Sequence, residues 1–397
     1  MIRLRVQPCD RGCPMPRLRP AGRVLRIPVP GVAVPFALSS VSVSRSESVS
    51  QLFSVDQLVD FMTRSYVACG VPQADARSTA EMMVEADLLG SDAHGIFRLP
   101  QYVKRIRAGG FNLHPDIRIE RETVATALID GDNAMGHLVM RFAAETAIAK
   151  AKVAGVAWVG LHHGNHAGAG AVYARMPLKH DMVGIYGAVG SANHLPPWGG
   201  IEMLLSTNPL AIAVPAHEEP PVVLDMATTV ASYGKIKARA QRGEMMPEGW
   251  MMGNDGQPLL DPKRAAEGFL MPIGGHKGYG LALIIGLLGG SLNGAAMGRD
   301  VVDFNADAST VTNTGQCIVA VSLSAFGDPE TIKRDVDRVS REMRSAQKMP
   351  GVDRIRVPGE DSHRRHAQQS KDGIALPAPL LDVLGKLADD LSIARLS

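Results

Sequence analysis

The chain has 397 residues, a net charge of +2, and side chains that are 45% hydrophobic, 21% charged and only 5% aromatic. That length buries a large core and implies more than one domain or subdomain. Near-neutral charge and scarce aromatics give no reason to expect nucleic acid as a partner. Four cysteines (Cys9, Cys13, Cys69 and Cys317) without metal spacing argue against a disulfide framework and for a reducing, cytoplasmic compartment.

Residues 1–50 stand apart, with eight arginines, no lysine, and only Asp10 and Glu47 as acids. There is no apolar stretch with a secretory cleavage site. An Arg- and Ser-rich, acid-poor start matches a transit peptide, but the preferred reading is a disordered or non-native extension. Ser54 with Gln57 forms a capping box ahead of an apolar stripe (Val55, Leu58, Val59, Met62, Tyr66), so a helix is expected up to Gly70. A second helix is expected over Gln73–Leu89 and a short one over Tyr102–Ala108. Thr123–Asp130 reads as a strand, Met135–Ala154 as a long helix and Val156–Leu161 as a strand. Further strands are expected at Met182–Val189, Leu210–Val214, Val222–Met226 and Cys317–Leu323. Helices are expected at Thr228–Arg242, Tyr279–Asn293, Pro329–Gln347 and Leu376–Leu391. Residues 279–298 approach the length of a membrane span and carry Gly286, Gly290 and Gly294 at four-residue spacing. Six glycines, Ser291 and Asn293 make them a buried soluble helix instead, so no membrane partner is expected. Helices at both ends and strands between them do not alternate as a doubly wound sheet would. No G-x-G-x-x-G follows a strand, and Ile236 after Gly234-Lys235 rules out a Walker loop.

The segment Ser91-Asp92-Ala93-His94-Gly95-Ile96-Phe97-Arg98 sets an imidazole and a guanidinium four residues apart. If helical, they share a face. Arg98 suits bidentate capture of a carboxylate; His94 suits transfer of one proton near neutral pH. Together they fit a substrate with a carboxylate beside an oxidisable C–OH or a reducible C=O. Lys235 offers a charge that can polarise a carbonyl or hold a second carboxylate. Asp225, Met226 and Thr228 end a strand and start a helix whose free amides suit phosphate or ribose oxygens. His276 and Lys277, between glycines at another helix start, form a candidate pyrophosphate site. Gly168 and Gly170 permit close backbone approach. His162, His163 and His166 invite a metal reading, but no acid or cysteine stands near them in sequence, so no metal is expected.

These segments come in a fixed order with Asn165-His166-Ala167-Gly168-Ala169-Gly170, Ser206-Thr207-Asn208-Pro209, Pro247-Glu248-Gly249-Trp250, Gly275-His276-Lys277-Gly278-Tyr279-Gly280 and Val357-Pro358-Gly359-Glu360. The set resembles the type 2 malate/L-lactate dehydrogenase family from about Phe53 onward. The resemblance implies a mixed α/β fold: a non-Rossmann NAD(P)-binding domain with a mostly antiparallel sheet (residues 123–330, with a helical insertion) and a helical domain built from both chain ends (51–122 with 331–397). It implies a homodimer that uses NAD or NADP on a small carboxylate substrate. By the same resemblance His94 and His166 are catalytic, with His166 also at the junction of cofactor and substrate. Arg98, Thr207 and Asn208 hold substrate, and Arg356 and Gly359 lie in a cofactor-contacting turn. The family usually carries a serine where this chain has Ala93, and in the ketimine-reducing branch that serine and an aspartate at the position of Lys235 form a charge relay that this chain lacks. A cyclic ketimine (piperideine or pyrroline carboxylate) reductase is thus weakened to the alternative, and a catalytically inactive binding relative is a further one.

Overall fold

A computed structural model describes residues 50–397; the expectation of a disordered or non-native extension falls on residues 1–49, outside them. Chain-order elements begin with β1 (Ser50–Phe53), α1 (Val55–Val67), α2 (Gln73–Leu88) and α3 (Leu99–Arg107). The capping box forms: the Ser54 hydroxyl accepts from the Gln57 amide, and the Gln57 side chain accepts from the Ser54 amide at 2.7 Å. Next come β2 (Arg118–Glu122), β3 (Thr126–Asp130), α4 (Gly136–Ala154), β4 (Val156–Gly164), α5 (Gly170–Ala174), β5 (Met182–Ala188), β6 (Leu210–Val214) and β7 (Val222–Met226). The remainder is α6 (Tyr233–Arg242), β8 (Met251–Gly253), β9 (Gly268–Leu270), α7 (His276–Gly289), β10 (Thr314–Ser322), α8 (Pro329–Ser345), α9 (Glu360–Asp372), β11 (Ile374–Pro377) and α10 (Ala378–Asp390).

Seven strands form one open mixed sheet in the order β2-β3-β4-β10-β5-β6-β7. Only β3 and β4 run parallel, joined by α4; every other neighbouring pair in this sheet is antiparallel. Alanines of α4 (Ala143, Ala144, Ala147, Ala151) are buried with Ile129, Val159, Leu161 and Ile318 of the sheet. Small side chains let the helix lie close, where dispersion contacts are densest. On the other face, α7 and the turn after it press on β5, β10 and β4. A Cβ on Gly315 would lie 2.1 Å from the Gly289 carbonyl oxygen, so this close approach requires glycine. The membrane-like hydropathy of 279–298 is thus that of a sheet-covering helix, and no helix among the described residues is long and apolar enough to cross a membrane.

A second core gathers α1, α2, α3 and α10 around Phe53, Phe61, Tyr66, Tyr102, Phe111 and Leu384. β1 and β11 meet there, paired antiparallel from Ser50–Phe53 to Ile374–Pro377. β2, although it falls within 51–122, is the edge strand of the large sheet. A small third core joins α6 to the β8–β9 hairpin through Ile236, Met246, Met251 and Leu270.

Several expected bounds shift. The helix expected from Thr228 starts at Tyr233, because Ser232 and not Thr228 caps it, accepting from the Lys235 amide at 3.3 Å. The helix expected over 376–391 begins at Ala378, since residues 374–377 are taken up by pairing with β1.

Candidate active site

The loop after α2 carries the first cluster. His94 and Arg98 do not share one helix. They end two successive 3-10 turns, Asp92–His94 and Ile96–Arg98, broken at Gly95. The buried carboxylate of Asp87 shapes that break. It accepts from the Ile96 amide at 2.8 Å, and a Cβ on residue 95 would lie 1.9 Å from its Oδ1. Burial pushes the Asp87 pKa up to about 7, opposed by the Ile96 hydrogen bond and helped by Asp92.

Arg98 is held from two sides. Its Nε donates to the Ala93 carbonyl at 3.0 Å, and one terminal nitrogen donates to the Asn305 side chain at 2.6 Å. Asn305 is itself positioned by the segment 303–310. Fully buried Arg105 donates to the Asp307 carbonyl (2.7 Å) and to that of Thr310, and stacks 4.8 Å above Phe304.

His94 stacks on His166, with ring centroids 5.4 Å apart and planes inclined by 20°. Enclosure, with the Arg98 charge second, lowers the His94 pKa to about 4, so the imidazole is neutral at neutral pH. Its Nδ1 is enclosed without a hydrogen-bond partner among the described residues. His166 is held well below the usual histidine range by burial and then by the Arg98 charge. The Tyr102 hydroxyl lies 2.6 Å from His166 Nδ1 and 3.0 Å from the His166 carbonyl oxygen. A carbonyl can only accept. Both contacts are satisfied when Tyr102 donates to the carbonyl and Nδ1–H donates to Tyr102, which leaves Nε2 with its lone pair. His137 closes the cluster from α4. It is 1% exposed, both its ring nitrogens lack partners among the described residues, and burial lowers its pKa to about 3.

From here a bonded ribbon runs through the other expected residues. Gly168 (φ +78°) lies against His137 and the His94 carbonyl. Gly170 opens α5, and the amide of the next residue, Ala171, donates to Asp225 at 3.0 Å. Met226 ends β7. The Thr207 carbonyl accepts from both the amide (2.9 Å) and the hydroxyl (2.8 Å) of Thr228. The Thr228 carbonyl accepts from the Ile273 amide at 3.0 Å. That bond sets the loop whose end presents His276 and Lys277, both exposed, on the first turn of α7.

The ribbon corrects two readings. The Thr228 amide is not free for a ligand, because it is bonded to Thr207. The Asn208 amide is committed within the fold: Nδ2 donates to the Ala282 carbonyl (2.8 Å), Oδ1 accepts from the Gly190 amide (3.1 Å), and its φ is +22°. It shapes the Thr207 turn from below. Lys235 lies apart, exposed on the first turn of α6, with no hydrogen bond or ion pair to its ammonium among the described residues. Arg356 pairs with Asp361 at 3.2 Å, and Gly359 (φ +86°) packs against Val223 of β7. Their turn borders the sheet edge through the bond from the Val223 amide to Pro358.

Tyr102, His137, Phe304, Asn305 and Asp87 escaped sequence reasoning. Tyr102 carried a usable signal, standing four residues after Arg98; Asn305 stands 207 residues from Arg98 and carried none. Contrary to the spacing along the chain, acids do stand beside His162 and His163. The sheet brings Glu120 to 2.9 Å from His162 and Asp130 to 3.0 Å from His163.

The family model described as malate/L-lactate dehydrogenase matches residues 53–385. The chain belongs to the malate/L-lactate dehydrogenase family. A malate/(S)-sulfolactate dehydrogenase of Methanothermus fervidus is 38% identical over 326 residues, 82% of this chain and 94% of that protein. The solved sulfolactate dehydrogenase of Methanocaldococcus jannaschii superposes with a TM-score of 0.80 at 35% identity, covering 86% of this chain and 98% of that one. A delta(1)-pyrroline-2-carboxylate/delta(1)-piperideine-2-carboxylate reductase of Pseudomonas putida is 30% identical over 80% of this chain and 91% of its own length. These relatives are named as oxidoreductases, dehydrogenases of malate and sulfolactate and a reductase of pyrroline and piperideine carboxylates.

Proposed function

We propose that this chain transfers hydride between NAD or NADP and the C2 carbon of a small 2-hydroxy or 2-oxo carboxylic acid of the malate or lactate kind. The observation that carries this reading is the pairing of a fixed guanidinium, Arg98, with an enclosed neutral imidazole, His94, on one loop.

The nicotinamide, when bound, supplies or takes up the hydride. The residues fit such a group. The exposed His276 and Lys277 sit on a helix start whose first amides have no intrahelical partner. Gly168, at φ +78°, brings its backbone close to His137 and the His94 carbonyl, a turn that only glycine adopts readily. Thr207 borders the same ribbon.

Arg98 grips the substrate carboxylate through its fork, fixing the C2 oxygen near His94. In the oxidative direction the neutral His94 accepts the hydroxyl proton; in the reductive direction it must carry a proton to the carbonyl oxygen. The positive charge of Arg98 helps to hold His94 neutral. A bound carboxylate offsets that charge, so substrate binding raises the proton affinity of His94 just when reduction needs it. His166, oriented by Tyr102, backs His94 and lies between the substrate loop and the Gly168 turn. Lys235, exposed on the first turn of α6, is proposed as the second cation for the substrate carbonyl or a second carboxylate.

A cyclic ketimine reductase is the second reading, supported by the Pseudomonas putida relative. Ala93 has no hydroxyl to relay a proton, and Lys235 stands where that branch has an acid, so the oxo acid is favoured. The protein is further proposed to act as a cytoplasmic homodimer. The support is the exposed apolar side chains of Ile284, Leu287 and Leu288 on α7 and Leu292 after it, a face that association would cover. A panel of 2-oxo acids and one cyclic imine, assayed with NADH and NADPH by loss of reduced-cofactor absorbance, tests the reading. Turnover of the imine alone would replace the first reading by the second.

A further inference from the structure

At the carboxyl ends of β3 and β4, side chains that the hydride-transfer reading leaves unused converge. His162 Nδ1 and His163 Nδ1 face each other at 3.0 Å, and His163 Nδ1 lies 3.0 Å from Asp130 Oδ1. The three ligand atoms all lie within 4.8 Å of one another. Metal bonds of about 2.1 Å at angles of roughly 90–110° set neighbouring donor atoms about 3.0–3.4 Å apart, and the two 3.0 Å separations at His163 Nδ1 lie at the near edge of that range. We infer that Asp130, His162 and His163 bind one divalent transition-metal ion of the zinc, cobalt or nickel kind.

The surroundings select the ligand forms. His162 Nε2 lies 2.9 Å from Glu120 of β2, a carboxylate–histidine contact that places the proton on Nε2 and leaves Nδ1 with its lone pair. The second Asp130 oxygen is paired with Arg118, and the Asp132 amide donates to the first at 3.0 Å. The carboxylate is therefore ionised and oriented. Without metal, His163 Nδ1 must carry the proton shared between Asp130 and His162 Nδ1. The cation takes the place of that proton, which moves to the Nε2 of the half-exposed His163 ring. No net charge change on the imidazole is needed.

The backbone holds His163 ready. Its φ is +48°, a conformation that costs energy in a residue with a side chain. It is kept by bonds from the His163 amide to Asn313 (2.7 Å) and from the Asn133 amide to the His163 carbonyl (2.9 Å). Two imidazoles and one carboxylate, with solvent completing the shell on the exposed side, suit zinc, cobalt and nickel better than magnesium or calcium, which prefer oxygen shells. The ion would clamp β2, β3 and β4 together just ahead of Asn165 and His166.

The test is titration of chelator-treated full-length protein with Co2+, read by absorption, and with Zn2+, read by calorimetry, alongside thermal melts. The expected result is one site per chain and a melting temperature raised by Zn2+. His163→Asn, chosen because asparagine tolerates a positive φ, should weaken binding roughly a hundredfold or more and abolish the thermal shift. His162→Gln should do the same, and Glu120→Gln should weaken binding about 10–100-fold. Absence of saturable binding at one ion per chain overturns the inference. So does equal binding by wild type, His163→Asn and His162→Gln, which would place the ion on other surface histidines.

Discussion

Asp87→Asn should change how stability depends on pH. The Asp87 carboxyl holds the Ile96 amide at the base of the His94 loop, and burial lifts its pKa from 3.8 to about 7. Between those values the unfolded chain has released this proton and the folded chain still holds it. The folded state binds more protons there, so this group makes stability fall as pH rises from about 4 to about 7. A shift of roughly three units at about 1.4 kcal/mol each corresponds to about 4 kcal/mol across the window. An asparagine keeps an oxygen for the Ile96 amide and does not titrate. Its buried NH2 adds a constant cost of about 1–3 kcal/mol. Urea unfolding at fixed protein concentration, repeated from about pH 4 to pH 8, should show the Asp87→Asn protein gaining on wild type by about 4 kcal/mol over the series. Parallel stability curves for the two proteins would refute a buried protonated Asp87 and the account of how the loop is held.

His94→Ala should lower kcat by about two to four decades while leaving the Kd for reduced cofactor unchanged; near-wild-type turnover would transfer the proton role to His166. Arg98→Lys keeps the charge but loses the fork and the Nε bond to Ala93, so kcat/KM for the acid should fall about tenfold to a hundredfold with cofactor affinity intact. Fluorescence-detected cofactor affinity that falls in step with kcat/KM would show that Arg98 serves the fold and not the carboxylate. His276→Ala with Lys277→Ala should raise the Kd for NAD(P)H several-fold, with an effect that shrinks as salt rises. Unchanged affinity with a lowered melting temperature would make that turn structural.

Local signals were the readable ones. The Ser54–Gln57 box and the alanine-rich stripe of α4 declare their helices because cap and face lie within a few turns of chain. β2 has the sequence Arg118-Ile119-Glu120-Arg121-Glu122 and is exposed throughout, so no apolar alternation marks it; pairing with β3 alone makes it a strand. α9 buries no residue fully and has no apolar stripe to find. In the site, His94 and Arg98 were legible from spacing and residue type. The helix that spacing allowed gives way to two turns because Asp87 leaves no room for a side chain at Gly95. Asn305 on Arg98 and the acids beside His162 and His163 reach their partners only through tertiary and sheet pairing, which spacing along the chain does not encode.

The proposed reaction depends on a carboxylate held by Arg98 beside a proton-carrying His94. Its most direct test compares a 2-oxo acid with the corresponding 2-oxo amide as substrates of the wild-type protein, following reduced-cofactor absorbance with NADH and with NADPH. Loss of the clamped charge removes charge-assisted bonds of about 1.5–3 kcal/mol, so the amide should fall at least about tenfold behind the acid in kcat/KM. Equal kcat/KM for acid and amide, or no turnover of any 2-oxo acid with either cofactor, would contradict it.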